Sequence, residues 1–237
     1  MLRIATLLPD LLGTYGDGGN ATVLVARARA RGIACEVVEM RRNDAVPTAS
    51  LYLMGGGEDG PQRLACEVLR ASNFGERVRD GARVFAVCAG LQILGRHFSV
   101  EGDDEFEGLG LVDIATRRGT TRSVGDLCAK VDGRLMVGFE NHGGVTTLGD
   151  GLVAFGDVVR GRGNDGVVDG FRTESLWATY AHGPVLAQNP WLADKILESA
   201  LGETLEPFTS VADRLYEERC RELSPRSGFE DRRRDPH

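Results

Sequence analysis

Residues 83–95 read RVFAVCAGLQILG, and the fold is decided there. Residues 83–87 are a short, mostly apolar run, the composition of a buried strand. Cys88 follows at once. Ala89 and Gly90 then supply a tight turn, and Leu91, Leu94, Gly95 and Phe98 recur at i, i+3, i+4 and i+7, one face of a helix. A thiol therefore stands between the end of a strand and the start of a helix. This is the layout of a nucleophile elbow, with sulfur where a G-x-S-x-G hydrolase carries a hydroxyl. The dipole and unpaired N–H groups of a helix start stabilise negative charge on such a sulfur. Small residues at Ala86, Ala89 and Gly90 leave room for the turn and for a substrate. A cysteine at a strand end also serves as a small core residue, so its partners decide its role.

Upstream, residues 2–8 form an apolar run of strand length. Residues 9–19, PDLLGTYGDGG, are a turn-rich loop, and Asn20 can cap a helix with Ala21, Leu24, Val25 and Ala28 on one face. The glycines of this loop match neither G-x-x-x-x-G-K-[ST] nor G-x-G-x-x-G. Residues 15–20 thus read as a shaped loop suited to an interface, not as a nucleotide site. Residues 34–39 and 51–54 read as further strands. The second of these runs into Gly55, Gly56 and Gly57, either a flexible turn or a place where backbone N–H groups face an oxyanion. Residues 62–73 are helical. This alternation predicts an α/β fold with a mostly parallel, doubly wound, flavodoxin-like sheet, its ligands at the carboxyl ends of the strands.

Downstream the pattern changes. Runs at 109–116, 123–131, 135–139, 151–155 and 167–171 suggest antiparallel strands added in the second half, with Arg117, Arg118 and Arg122 in a loop between two of them. Residues 139–144, FENHGG, read as a polar turn carrying His142, a second histidine that could serve as a base. Residues 176–181 form a strand, and His182 follows it directly in YAHGP, as Cys88 follows its own strand. An imidazole there can take the thiol proton and return it to a leaving amine. With His97 on the elbow helix and His237 in the tail, His182 is the candidate base. Two helices follow, one capped by Asn189 and one carrying Phe208, Val211, Ala212 and Leu215. The pattern gives one domain over residues 1–221. Residues 222–237 form a tail, Pro-, Gly- and Arg-rich from about Ser224 and expected to be disordered.

Composition narrows the classes. The chain has 237 residues, 42% of them hydrophobic, enough for a sizeable core. Its net charge of −7 argues against a nucleic-acid surface. No apolar run reaches the ~18 residues of a membrane span, and Pro9 and Asp10 make the opening a strand rather than a signal peptide. Five cysteines without a C-x-x-C pair suggest reduced cytoplasmic thiols and no metal site.

The motifs taken together resemble the class I, or triad-type, glutamine amidotransferases, and more narrowly their cobyric-acid-synthase-like (CobB/CobQ-like) branch. The residues that carry this are Cys88-Ala-Gly-Leu-Gln92 after a strand, the glycine-rich turn one strand earlier, and Tyr-Ala-His182-Gly-Pro. Within that branch, LLPDLLGTYGDGGN, GGGED, Thr121-Arg122 and GFENHGG resemble the GatD-type glutaminase subunits of lipid II isoglutaminyl synthase. The resemblance implies that Cys88 attacks the side-chain amide of L-glutamine, releasing ammonia and leaving a glutamyl thioester. His182 would be general base and acid, the N–H groups of Gly57 and Ala89 the oxyanion hole, and Arg122 and Gln92 the substrate-binding side chains. It also implies a cytoplasmic heterodimer in peptidoglycan synthesis. This chain would hold no cofactor. ATP and Mg would belong to a MurT-type, Mur-ligase-like partner that amidates the α-carboxyl of D-glutamate in the lipid II stem peptide to D-isoglutamine.

Two departures stand out. Pro184 occupies the position where many triad enzymes carry an acid, which leaves a Cys–His dyad with Glu174 or Glu140 as candidate orienting groups. Ala86 replaces a glycine usual before the nucleophile. Other readings are a cobyric-acid-type amidotransferase, another cysteine hydrolase on this fold, or a non-catalytic binding subunit. The first normally carries a synthetase domain in the same chain.

Overall fold

The computed structural model describes residues 1–99 and 105–223. The first half alternates as β1 (Leu2–Leu7), α1 (Gly19–Ala30), β2 (Cys35–Met40), β3 (Leu51–Met54), α2 (Asp59–Arg70), α3 (Phe74–Arg79), β4 (Arg83–Val87) and α4 (Ala89–Leu94). Then come β5 (His97–Ser99), β6 (Glu105–Glu107), β7 (Ile114–Val131), β8 (Arg134–Leu148), β9 (Gly156–Arg160), β10 (Val168–Asp169), β11 (Phe171–Arg172) and β12 (Leu176–Thr179). The described chain closes with α5 (Val185–Gln188), α6 (Pro190–Leu201) and α7 (Val211–Leu223).

The first sheet runs β11-β12-β4-β3-β1-β2. All its pairings are parallel except that of the edge strand β11. Read from β2, the parallel strands follow the flavodoxin-like order. Ile4, Ala5, Leu51, Tyr52, Val84, Phe85 and Ala86 are buried, the continuous apolar character that a sheet covered on both faces requires. Helices α1, α5 and α6 pack together, as do α2, α3 and α4. The doubly wound expectation is therefore met.

The second half differs in detail from the sequence pattern. Strands β5 to β10 form a separate sheet, β10-β9-β7-β5-β6, with β8 paired to β7, while β11 and β12 join the first. The runs expected at 109–116 and 123–131 are largely one long strand, β7, with a register shift between Arg118 and Ser123. That bulge carries the Arg122 segment. Asp132 and Gly133 turn the β7–β8 hairpin with φ of 49° and 79°, as a tight Asp-Gly turn requires. Residues 139–144 are not a turn but lie inside β8, held by pairing to β7. Residues 151–155 form no named strand. Helix α4 stops at Leu94 because Gly95 passes against β7, where a Cβ would lie 2.5 Å from Ile114 Cγ1. His97 and Phe98 consequently belong to a strand, not to the elbow helix. Helix α7 runs to Leu223, and the tail expected to be disordered lies, from residue 224, outside the described residues. Among the described residues no helix is long and apolar enough to cross a membrane.

One clamp fixes helix α1. The side chain of Arg27, only 6% exposed, makes bonds of 2.5 and 2.6 Å to the two oxygens of Asp194 and one of 3.4 Å to Asp213. Arg31 also reaches Asp194 at 2.8 Å. Both guanidinium groups lie over the Phe208 ring, at 5.3 and 5.2 Å from its centroid. At the other end of α1, Asn20 Oδ1 accepts from the Leu186 N–H at 3.0 Å. Removing one partner of such a pair leaves a buried charge, so Asp194→Ala should cost about 3 kcal/mol. Urea unfolding would show it as a lower midpoint at unchanged m-value. An unchanged midpoint would contradict the clamp.

Candidate active site

Four adjacent parallel strands, β12, β4, β3 and β1, end on one edge of the first sheet, and each delivers a piece of the site beyond its carboxyl end. Cys88 follows β4 with φ 50° and ψ −104°. Such angles are strained for a residue with a side chain and are the signature of an elbow. The elbow is held by Cys88 N–H donating to Thr179 O (3.0 Å), Gly90 N–H to Gly55 O (3.2 Å) and Gln92 N–H to Cys88 O (3.0 Å). Gly90 has no substitute: a Cβ there would lie 2.7 Å from Met54 Cβ.

His182 follows β12. Its backbone exchanges two hydrogen bonds with Phe139 of β8, at 2.7 and 3.2 Å. Its Nδ1 lies 2.9 Å from Asp17 Oδ2, with the two side chains 2% and 1% exposed. A carboxylate oxygen only accepts, so Nδ1 is the donor. The same Oδ2 accepts the Gly56 N–H at 2.8 Å. His182 Nε2 is buried and has no hydrogen-bond partner among the described residues. The neighbouring Cys88 sulfur nevertheless favours the charged ring, and such contacts commonly tighten only when substrate binds. Burial alone disfavours the charged imidazole. The hydrogen bond that the ring donates to Asp17 and the interaction with Cys88 outweigh it and push the pKa up to about 10.

Asp17 is thus the orienting acid, and neither Glu140 nor Glu174 is. Glu140 accepts from the N–H groups of Arg162 (2.8 Å) and Gly163 (2.9 Å) and faces His142 Nε2 at 3.2 Å. The Glu174 side chain is 93% exposed, beside Arg83 at the far end of β4. Asp17 comes from the loop after β1, which the sequence alone suggested as an interface. The clue was available, since a loop that follows a parallel strand lies on the same sheet edge as the elbow.

A cavity of about 170 Å³ opens at this edge, lined by Cys88, Gly57, Gln92, Arg122, Tyr15 and His142 among others. Of the residues singled out from sequence, Cys88, Gly57, Gln92 and Arg122 meet in it. His182 sits against the Tyr15 ring, centroids 4.7 Å apart. Ala89 is buried at the first position of α4. The N–H groups of Gly57 and Ala89 have no acceptor among the described residues. Gly55, Gly56 and Gly57 are packed rather than flexible: Cβ atoms there would lie 2.1 Å from Leu12 O, 2.4 Å from His182 Cε1 and 2.6 Å from Leu11 O. Arg122 donates from Nε to Asn141 Oδ1 (2.6 Å) and from Nη2 to the Tyr15 hydroxyl (2.9 Å). Gln92 is buried, accepting from Gln62 Nε2 (2.8 Å) and donating to the Tyr180 hydroxyl (3.1 Å). Both nitrogens of His142 are engaged, with Gly144 O (3.0 Å) and Glu140, and its ring stacks on Tyr180 at 4.0 Å. It is part of the wall, not a free base.

Comparisons agree with this architecture. Residues 3–190 match the CobB/CobQ-like glutamine amidotransferase domain family. The chain is 35% identical over 214 residues to the lipid II isoglutaminyl synthase (glutamine-hydrolysing) subunit GatD of Staphylococcus aureus strain N315, covering 87% of each protein. It is 31% identical to the GatD subunit of Streptococcus pneumoniae strain R6, over 84% of this chain and 80% of that protein. A cobyric acid synthase of Nocardia farcinica is 30% identical over 81% of this chain, which spans 40% of that protein. A crystal structure of a glutamine amidotransferase shares the fold at TM-score 0.60 and 22% identity, over 83% of this chain and 98% of that one.

The raised His182 pKa has a signed consequence. The folded-state value of about 10 lies above the ordinary imidazole value of 6.5. The associated stability is full below the unfolded value and is lost as pH rises through the folded one. Urea midpoints should therefore fall between those limits, and Asp17→Asn should flatten that fall. The same substitution should slow alkylation of Cys88 by iodoacetamide at neutral pH by on the order of tenfold. Equal labelling rates and superimposable pH profiles would contradict the assignment of Asp17.

Proposed function

This chain belongs to the CobB/CobQ-like glutamine amidotransferases, and from that membership we propose that it hydrolyses L-glutamine to supply ammonia for amidation of lipid II, as its GatD relatives are named for. The observation that carries the mechanism is the Asp17–His182 hydrogen bond beside the strained Cys88, which itself lines a polar cavity. His182 holds the proton of the Cys88 thiol. The sulfur attacks the side-chain carbonyl carbon of glutamine, and the developing oxyanion is received by the N–H groups of Gly57 and Ala89, each worth about 3–4 kcal/mol in comparable sites. His182 gives its proton to the amide nitrogen, ammonia leaves, and a glutamyl thioester remains. Water then donates a proton to His182 as its oxygen attacks the thioester. Glutamate departs and the sulfur is restored. Arg122 receives the α-carboxylate of glutamine through donors that Asn141 and Tyr15 leave free, and Gln92 frames the amide end.

The acceptor reaction belongs to a separate MurT-type, Mur-ligase-like subunit. It uses ATP and Mg to activate the α-carboxyl of D-glutamate in the lipid II stem peptide, and ammonia turns that carboxyl into the amide of D-isoglutamine. No cofactor is required of this chain. The setting is cytoplasmic, as a heterodimer in cell-wall synthesis.

Cys88→Ala should abolish ammonia release from glutamine while leaving the thermal melt close to wild type. Co-expression with a Mur-ligase-like subunit should give a complex that amidates lipid II with glutamine as nitrogen source. In that complex Cys88→Ala should still accept free ammonium. Glutamine hydrolysis by Cys88→Ala would overturn the mechanism. Failure of the wild-type complex to amidate lipid II would overturn the acceptor.

A further inference from the structure

The mechanism above leaves Tyr15 without a task, yet three parts of the site converge on it. Its hydroxyl lies 2.5 Å from Glu58 Oε1 and 2.9 Å from Arg122 Nη2. Its ring packs on His182, and a Cβ on Gly56 would lie 3.1 Å from its Cδ2. The direction of the hydrogen bonds is fixed by chemistry. Glu58 can only accept and Arg122 can only donate, so the chain runs Arg122 to Tyr15 to Glu58. Burial and Glu58 push the phenol pKa up to about 12, so the hydroxyl keeps the proton this relay needs.

We propose that Tyr15 is a positioning residue for substrate recognition: its hydroxyl holds the Arg122 guanidinium at the angle that presents its free donors to the carboxylate of the substrate, while its ring covers His182. This rests on the reading of Arg122 as the carboxylate-binding group. Arg122 is exposed and rises from the β7 bulge, so on its own it would sample many rotamers. Asn141 takes Nε and Tyr15 takes one Nη2 proton. Three of the five donors, both on Nη1 and one on Nη2, remain for a two-point carboxylate contact. The loop that carries Tyr15 also carries Asp17, two residues on. One segment thus sets both the substrate-binding cation and the catalytic imidazole.

The test uses the complete chain, with its ligase partner where hydrolysis requires it. Tyr15→Phe keeps the ring and removes the hydroxyl. KM for L-glutamine should rise about tenfold with kcat within about twofold, since the interaction lost is one of binding. In an Arg122→Ala background the same substitution should change kcat/KM by less than about twofold, because the two residues act as a unit. Labelling of Cys88 by iodoacetamide, which has no carboxylate, should be the same in Tyr15→Phe as in wild type. Labelling by a glutamine-shaped electrophile should slow. An unchanged KM, a fall confined to kcat, or a full Tyr15→Phe effect surviving in Arg122→Ala would overturn the proposal while the glutaminase reading stands. A wild-type protein that hydrolyses no glutamine would overturn both.

Discussion

The hydrogen bond between Asp17 and His182 joins two ends of the chain, 165 residues apart, and the chemistry of the site depends on it. Burial to this degree favours a neutral imidazole unless an anion stands at Nδ1. With Asp17 in place, Nδ1 is committed and Nε2 is left for the sulfur. The contact exists only because β1 and β12 end on the same edge of one parallel sheet, with β3 and β4 between them. It is reinforced at Asp17 Oδ2 by the Gly56 N–H, which ties the glycine turn after β3 to the same carboxylate. A buried carboxylate, a strained cysteine and a closely packed glycine turn each oppose stability, and the surrounding core must offset all three.

The surroundings do so by leaving this edge of the sheet little freedom. Asp169, fully buried, accepts from Thr179 Oγ1 (2.5 Å) and the Tyr180 N–H (3.0 Å), locking the end of β12 just before His182. From Gln62 a chain of buried hydrogen bonds passes through Gln92, Tyr180 and Thr146 to Thr116. It crosses from the first sheet to the second beneath the cavity. Its members satisfy one another, the condition under which a buried polar network rigidifies rather than destabilises. Glu140 and His142 do the same for the neighbouring wall. Their polarity, conspicuous in the sequence, serves placement rather than proton transfer.

How much of this could be read from the residues alone follows from the range of the interactions. The elbow at Cys88 and its echo at His182 were legible because each is a local event, a strand ending in a reactive side chain. The parallel sheet was legible because buried parallel strands are continuous apolar runs. For Asp17 only the edge was legible, from its loop following a parallel strand, since nothing in its own neighbourhood distinguishes it from other aspartates in glycine-rich loops. Its role is created by strand order. The identity of residues 139–144 as strand was hidden for a related reason. A stretch of Glu, Asn, His and Gly has little intrinsic preference for strand, and cross-strand pairing to β7 decides it. The early end of α4 was hidden as well, because apolar spacing continued past the point where Gly95 meets Ile114.

The central claim is that Asp17 and Cys88 together hold a proton on His182 across the neutral range. Nitrogen NMR of the imidazole, followed with pH in the complete chain, addresses it directly. The account predicts a ring protonated on both nitrogens at neutral pH and titrating near 10, with both properties lost in Asp17→Asn. A ring that is neutral at pH 7 in the wild-type protein, or that titrates identically with and without the Asp17 carboxylate, would contradict it.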